Sequence, residues 1–360
     1  MTNSSPSAFP TAPLSLDKLS YPFEEVPEKS TIMEVASGVF WIRMPLKFSL
    51  DHINLWLLDD GDSWVLVDTS MDTPDMREIW EEIITQYCQD KPIKKVLCTH
   101  MHPDHVGLAG WLVEKFEADL LMSRLEYLTC RVLAEDTGKS APPEGINFYR
   151  QHAMSEEFIE GYKKMFGAFG RVIYRIPQNY KRIKDRDILT IGGRAWEVIG
   201  GNGHSPEHAS LYCAELGVFI TGDQVLPKIS SHIGTFPTEP DSDNLTDWIE
   251  SCATIKQRVP ENVLVLPAHN TPFFGLHVRL QNLIDNHENA LMRLLDALAT
   301  PHKASDNALF KLLFKRKIDD SILGMALSET LSHLNCLINR GLVRRSQDEK
   351  GVLWYEAIKS

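Results

Sequence analysis

Residues 99–107 read THMHPDHVG and follow a short apolar run, so three histidines and an aspartate (His100, His102, Asp104 and His105) crowd six positions. No other stretch limits what the chain can become as much. Imidazole and carboxylate at this density suit zinc, iron or manganese. His100 and His102 alternate, so an extended loop points both rings the same way. Asp104 and His105 are adjacent, at the expected start of a helix, and face a different point. One stretch can therefore feed two metals, but it closes neither site, because a catalytic ion takes about three protein ligands plus an open position. The remaining donors have to come from distant strands that return to this loop.

Hydrophobic periodicity shows how they return. Strands are expected at 39–43, 53–58 and 64–68, with the turn DDGDS between the last two. Ile79, Ile83, Ile84 and Tyr87 then recur at helical spacing. A buried strand at 95–98 leads into the histidine loop, followed by a helix at 108–116 and a strand at 119–123. Such alternation is an α/β pattern. Residues 125–182 are too long for a simple connection and read as a helical insertion. Its Tyr149, Phe158, Tyr162, Met165, Phe166, Phe169 and Tyr174 either cap a cleft or build the insertion's own core. Strands at 188–191, 196–199, 209–213, 218–221 and 263–266 form a second sheet. Helices follow residue 270, and a hairpin at 342–357 ends the chain in a winged-helix-like pattern. The expected organisation is a flexible arm over 1–30, a catalytic domain over 31–275 and a helical, winged-helix-like domain over 276–360.

Three further donors sit where apolar strands run out into loops, the place where α/β proteins assemble sites. His204 lies in GNGHSPEHAS, Asp223 in FITGDQ and His269 in VLVLPAHN. A lone histidine is as a rule a surface or hydrogen-bonded residue, but a clustered HxHxDH with three matching strand-end donors is a poor accident. His208 is left open between a structural and a site role, and His232 lies in a loop that can line the pocket. His52 is read as a surface residue, and His277 and His287 as core or surface residues of the helical part.

HMHPDH, then His204, Asp223 and His269 in GHS, TGD and PAH turns, resembles the metallo-β-lactamase superfamily. The hydrolase branch with glyoxalase II and the β-lactamase-like endoribonucleases is the nearest likeness. The resemblance implies an αββα sandwich with the insertion and the C-terminal helical domain added. It implies a first metal on His100, His102 and His204, and a second on Asp104, His105 and His269, with Asp223 bridging. Zn2+, two per chain, is the expected cofactor, with iron or manganese as the other metals the donors admit. Asp68, in VDTS, matches the acidic residue that supports the ligands from behind. The family's usual Asp-Thr-Gly reads Asp-Thr-Ser here, so Ser70 puts the backbone of that turn in question.

The function implied is a dinuclear metal-dependent hydrolase in which a bridging hydroxide cleaves an ester, thioester or lactone of a small molecule, with Asp104 both a ligand and a catalytic residue. The alternatives are a metal-dependent endoribonuclease or phosphodiesterase, and a non-catalytic metal-binding regulatory module. A net charge of -12 argues against broad contact with nucleic acid or anionic membranes. From Lys303 to Ser360 there are ten Lys or Arg against seven Asp or Glu, with no dense basic stripe, which ranks the nuclease second. Six scattered cysteines without a CxxC pair, no basic-then-apolar leader and no membrane-length apolar run lead to the expectation of a cytoplasmic protein. A homodimer is compatible with the tail.

Overall fold

The computed structural model describes residues 18–47 and 50–359. A seven-stranded sheet comes first. β1 (Met33–Ala36), β2 (Val39–Pro45), β3 (His52–Asp59) and β4 (Trp64–Val67) run antiparallel to one another. After α1 (Pro74–Tyr87), whose Thr73 caps the Met76 N–H with Pro74 next in line, come β5 (Ile93–Leu97), α2 (Pro103–Val106), α3 (Ala109–Phe116) and β6 (Asp119–Met122). The insertion forms α4 (Arg124–Glu135), α5 (Pro143–Gln151) and α6 (Glu156–Met165), and β7 (Lys181–Arg182) closes the sheet's edge. From β4 to β7 the pairing is parallel.

The second sheet holds β8 (Ile188–Ile191), β9 (Arg194–Gly201), β10 (His208–Cys213), β11 (Val218–Gly222) and β12 (Leu264–Pro267), in the order β12-β11-β10-β9-β8. α7 (Asn244–Arg258) joins β11 to β12 as a right-length crossover, so these two strands pair in parallel. Then come α8 (Leu276–Ala297), α9 (Asn307–Leu313), α10 (Leu323–Asn339) and the antiparallel hairpin of β13 (Val343–Gln347) and β14 (Leu353–Ala357). The sequence reading does not anticipate α7, β1 or β7.

Side-chain alternation sorts these elements into four layers. In β2, Val39 and Trp41 point one way and Ile42 and Met44 the other; Trp56 and Leu58 of β3 oppose Leu55 and Leu57. The first set meets Trp196, Val198, Leu211, Ile220 and Leu266 of the second sheet, which makes the sandwich interior. The opposite face of the first sheet packs on α1 and α3 through Ile79, Ile83 and Leu112. The outer face of the second sheet, with Ile199, Phe219 and Val265, packs on α7, α8 and α10 through Trp248, Ile255, Leu280, Leu283, Leu331 and Leu334. One apolar cluster therefore joins the helices after residue 275 to the second sheet.

One expectation needs correction here. Residues 1–17 of the arm lie outside the described residues, but the rest of the stretch to 30 is not loose, because Leu19 is buried and Ser20 exchanges backbone hydrogen bonds with Phe274. The helix expected over 108–116 is present as α3, with Leu108 as its N-cap, and the separate single turn of α2 precedes it. No helix among the described residues is long and apolar enough to cross a membrane. All six cysteines are free and buried.

Candidate metal centre

The ends of β5, β9, β11 and β12 point to one place at the mouth of the sandwich. The loop after β5 and the α2 turn that follows carry His100 to His105, the turn after β9 carries His204, Asp223 directly follows β11, and His269 lies two residues beyond β12. All seven predicted donors converge. Donor atoms of His100, His102, His204 and Asp223 lie within 4.8 Å of one another, and so do those of Asp104, His105 and His269. Asp223 stands between the two groups: its Oδ2 is 3.5 Å from His204 Nε2, and its Oδ1 is 3.6 Å from His105 Nε2 and 3.4 Å from His269 Nε2. Asp104 Oδ2 lies 3.4 Å from His269 Nε2 and 3.7 Å from His105 Nε2.

The rings are aimed from behind. His204 Nδ1 donates to the His232 carbonyl and His269 Nδ1 to the His52 carbonyl, each at 2.7 Å. His105 Nδ1 donates to Asp68 at 2.8 Å. The Thr99 hydroxyl donates to Asp68 and lies 3.1 Å from His100 Nδ1, so it accepts from that ring. In each case Nε2 is left as a lone-pair donor facing inward, the arrangement that presents imidazole to a metal. His102 is the exception, turning Nδ1 inward, 2.8 Å from His100 Nε2.

The donors fit cations. His105 Nε2 and Asp223 Oδ1 are buried and have no hydrogen-bond partner. Facing polar atoms left this way are costly in a folded protein unless something binds between them. The charges agree. Burial lowers His100 far below the ordinary imidazole range and His102 to about 3, so both rings are neutral. Burial also opposes charge on His105 and His269, but the surrounding carboxylates outweigh it and raise both. Burial pushes Asp223 up, yet His269 and His105 hold it well below the carboxylate range. A cluster this rich in opposed charge, without hydrogen bonds to settle it, has the character of a ligand sphere for positive ions.

Each turn has a local cause. Asp68 and Ser70 both adopt positive φ, +62° and +78°, which curls the end of β4 so that Asp68 faces the loop. Thr69 between them donates its hydroxyl to His105 O at 2.7 Å and accepts from Leu108 N at 3.1 Å. Ser70 therefore keeps a left-handed backbone at the position where the resemblance led glycine to be expected. Gly222 has φ +50°, and a Cβ there would lie 2.5 Å from His208 Nε2. His208 is thus a buried packing residue behind His100, not a member of either donor group.

Several supporting residues escape a sequence reading. Buried Glu126 on α4 accepts from Met101 N at 2.9 Å and Glu207 N at 2.8 Å, tying the histidine loop to the His204 turn. Asn54 donates to Pro267 O and Asn270 O and accepts from Trp41 Nε1, which fixes the turn bearing His269. His52, expected at the surface, is buried, and its Nε2 accepts from Asn270 N at 2.8 Å. The only advance signal for His52 and Asn54 is their place beside an apolar strand; Glu126 has none. The insertion's aromatics pack on one another at steep angles, with ring centroids of Tyr149 5.1 Å from Phe158 and 4.7 Å from Tyr162.

Comparison with known proteins gives a consistent picture. The family model described as Metallo-beta-lactamase superfamily matches residues 49–269, and the one described as Metallo-beta-lactamase-like, C-terminal domain matches residues 291–358. The crystal structure of a beta-lactamase domain protein from Burkholderia ambifaria superposes with a TM-score of 0.86 at 34% identity, covering 95% of this chain and 99% of that one. A probable metallo-hydrolase of Bacillus subtilis is 24% identical over 83% of this chain and 92% of its own length. The human acyl-coenzyme A thioesterase MBLAC2 is 22% identical over 66% of this chain and 80% of its own.

Proposed function

Because this chain belongs to the metallo-beta-lactamase superfamily, we propose that it is a hydrolase that works with two divalent cations, zinc foremost, and cleaves a small-molecule ester bond, with acyl thioesters the first class to test. The observation that carries the proposal is Asp223, which offers one carboxylate oxygen to each of two donor groups while its Oδ1 and the His105 Nε2 that it faces stand buried without hydrogen bonds. His100, His102 and His204 would hold one cation and Asp104, His105 and His269 the other, with Asp223 shared. When bound, such a pair supplies Lewis acidity and a water whose pKa is lowered to about neutral.

The chain's own residues do the rest. The Asp104 side chain is more open than its neighbours in this group, 22% exposed against 11% for Asp223 and 1% for His269. Burial works against its charge, but His105 and His269 keep its pKa below the usual range, so it is ionised at neutral pH and orients the attacking water by accepting one of its protons. Asp68 and Thr99 hold the His100 and His105 rings so that no ligand has to reorganise during the reaction. The choice of thioester is supported by the likeness to the human acyl-CoA thioesterase. A nuclease reading has less behind it: Arg340, Arg344 and Arg345 of the tail are already paired with Glu288, Glu356 and Asp241.

The test is turnover on a panel of acyl-CoA thioesters, lactones, aryl esters, a phosphodiester and single-stranded RNA, with and without chelator. Thioester or ester cleavage that chelation abolishes, and that Asp104→Ala lowers by roughly 100-fold or more, is expected. Turnover confined to the phosphodiester or RNA, or undiminished in Asp104→Ala, refutes the reading.

A further inference from the structure

The loop between β11 and α7 is gripped by the C-terminal helices along its first half. Buried Arg279 of α8 turns two of its guanidinium nitrogens to the loop's backbone, with Nε donating to Leu226 O at 2.5 Å and Nη2 to Ile229 O at 2.6 Å. The next contact is a relay. His333 Nδ1 of α10 donates to Glu329 O at 2.7 Å, which leaves His333 Nε2 to accept from His287 Nδ1 at 3.1 Å. His287 Nε2 is then free to accept from the Ser230 hydroxyl at 2.9 Å. Both rings are neutral links, since burial lowers His333 and pushes His287 down to about 3.

At His232 the grip reaches the site. Both of its ring nitrogens meet the first turns of α10: Glu329 Oε2 is 3.2 Å from Nδ1 and Ser328 Oγ is 3.0 Å from Nε2. Thr235 N donates to Ser328 O at 3.0 Å and fastens the loop just beyond. The His232 carbonyl is the group that accepts from His204 Nδ1. The other ring partners differ in origin. His100 and His105 lean on Thr99 and Asp68, and His269 on the His52 carbonyl, all from the side of the first sheet. His204 alone among these four is backed by a loop that the C-terminal helices hold.

We infer that Glu329 and Ser328 are positioning residues for the metal centre: by clamping the His232 ring from both sides they fix the carbonyl that aims His204, and so set the affinity of one donor group and not the other. This rests on the reading of the seven donors as two metal subsites. Loss of a partner behind a ligating imidazole typically costs about 10- to 100-fold in metal affinity, and a partner one step further back acts through the same ring.

The experiment is titration of chelator-stripped protein with Co2+, followed by visible absorption and equilibrium dialysis, on the full chain and on Ser328→Ala, Glu329→Gln and the double variant Ser328→Ala/Glu329→Ala. Circular dichroism checks that each is folded. Two equivalents are expected in the unaltered protein. In the double variant one equivalent weakens by roughly tenfold or more while the other keeps its affinity, and Glu329→Gln, which retains an acceptor oxygen for the ring, lies nearer the unaltered protein. Two unchanged equivalents, or two weakened alike, overturn the inference. If the double variant does not fold, Ser328→Ala carries the same comparison, because it removes a single hydroxyl. An unaltered protein that takes up no Co2+ overturns the metal-centre reading instead, so the two failures are distinct.

Discussion

Ser70 shows how closely a single position is constrained. Its φ of +78° is a conformation that glycine adopts freely and serine does not, and its buried hydroxyl has no hydrogen-bond partner. The turn nevertheless stays in place, because Thr69 bonds His105 O and Ser70 O accepts from Leu108 N at 3.0 Å. Ser70→Gly is therefore expected to stabilise the fold by about 1 kcal/mol, the relief of strain and of the orphan hydroxyl exceeding the added freedom of the unfolded chain. Urea denaturation reads this as a higher midpoint at unchanged slope; a lower midpoint would mean that the hydroxyl is engaged. At this scale the donors were legible in the sequence because their chemistry is rare at strand ends. Glu126 was not, since a carboxylate on an amphipathic helix looks solvated until the fold buries it. His52 failed for the same reason: one histidine before an apolar strand carries no sign of the Asn270 N–H that it accepts.

Elements were legible in proportion to how much they bury. The central strands and the long helices announce themselves by alternation or helical spacing, whereas β1 and β7 are edge strands of four and two residues, the first only half-buried and the second exposed, too short to show a pattern. α7 is a different case. Asp243 caps it, and Leu245, Trp248, Cys252 and Ile255 form its buried stripe, so the signal is present but diluted by Ser251 and a polar opposite face. Helix α4 has a role beyond packing, since Glu126 fastens two ligand-bearing turns to it with one oxygen each. Glutamine has one acceptor oxygen for these two N–H groups and would set an amide N–H against the other. Glu126→Gln is expected to cost about 1–3 kcal/mol of stability and to lower metal content after dialysis. Unaltered values for both would show that the turns hold themselves.

At the scale of the whole molecule, the helices after residue 275 and part of the insertion close over the outer face of the second sheet as one body. Phe148 and Met154 of the insertion share the apolar cluster of α8 and α10. His152 donates from Nδ1 to Phe148 O, and its Nε2 accepts from the Tyr355 hydroxyl at 3.2 Å, joining α5 to β14. Burial pushes its pKa down to about 4. Between that value and the ordinary imidazole range, near 6.5, the unfolded chain takes a proton that the folded chain refuses. Stability therefore falls as the solution is acidified through this window and is fully present above it, by up to about 1.4 kcal/mol per pH unit from this one group. His152→Gln should flatten the dependence of the urea midpoint between pH 4.5 and 6.5 relative to the unaltered protein, both stripped of metal; parallel curves would exclude His152 as a source of it. The sequence could not show this join, because it depends on which surfaces of three separate segments meet. The division of donors among the ends of β5, β9, β11 and β12 has a consequence for biosynthesis. A ribosome delivers His100 to His105 early and His269 late, and β12 reaches its place only by docking alongside β11. Before that step the Asp104 and His105 pair lacks its third donor. A cation held by that group would therefore seal an almost finished chain, whereas the group of His100, His102, His204 and Asp223 is complete earlier in the sequence.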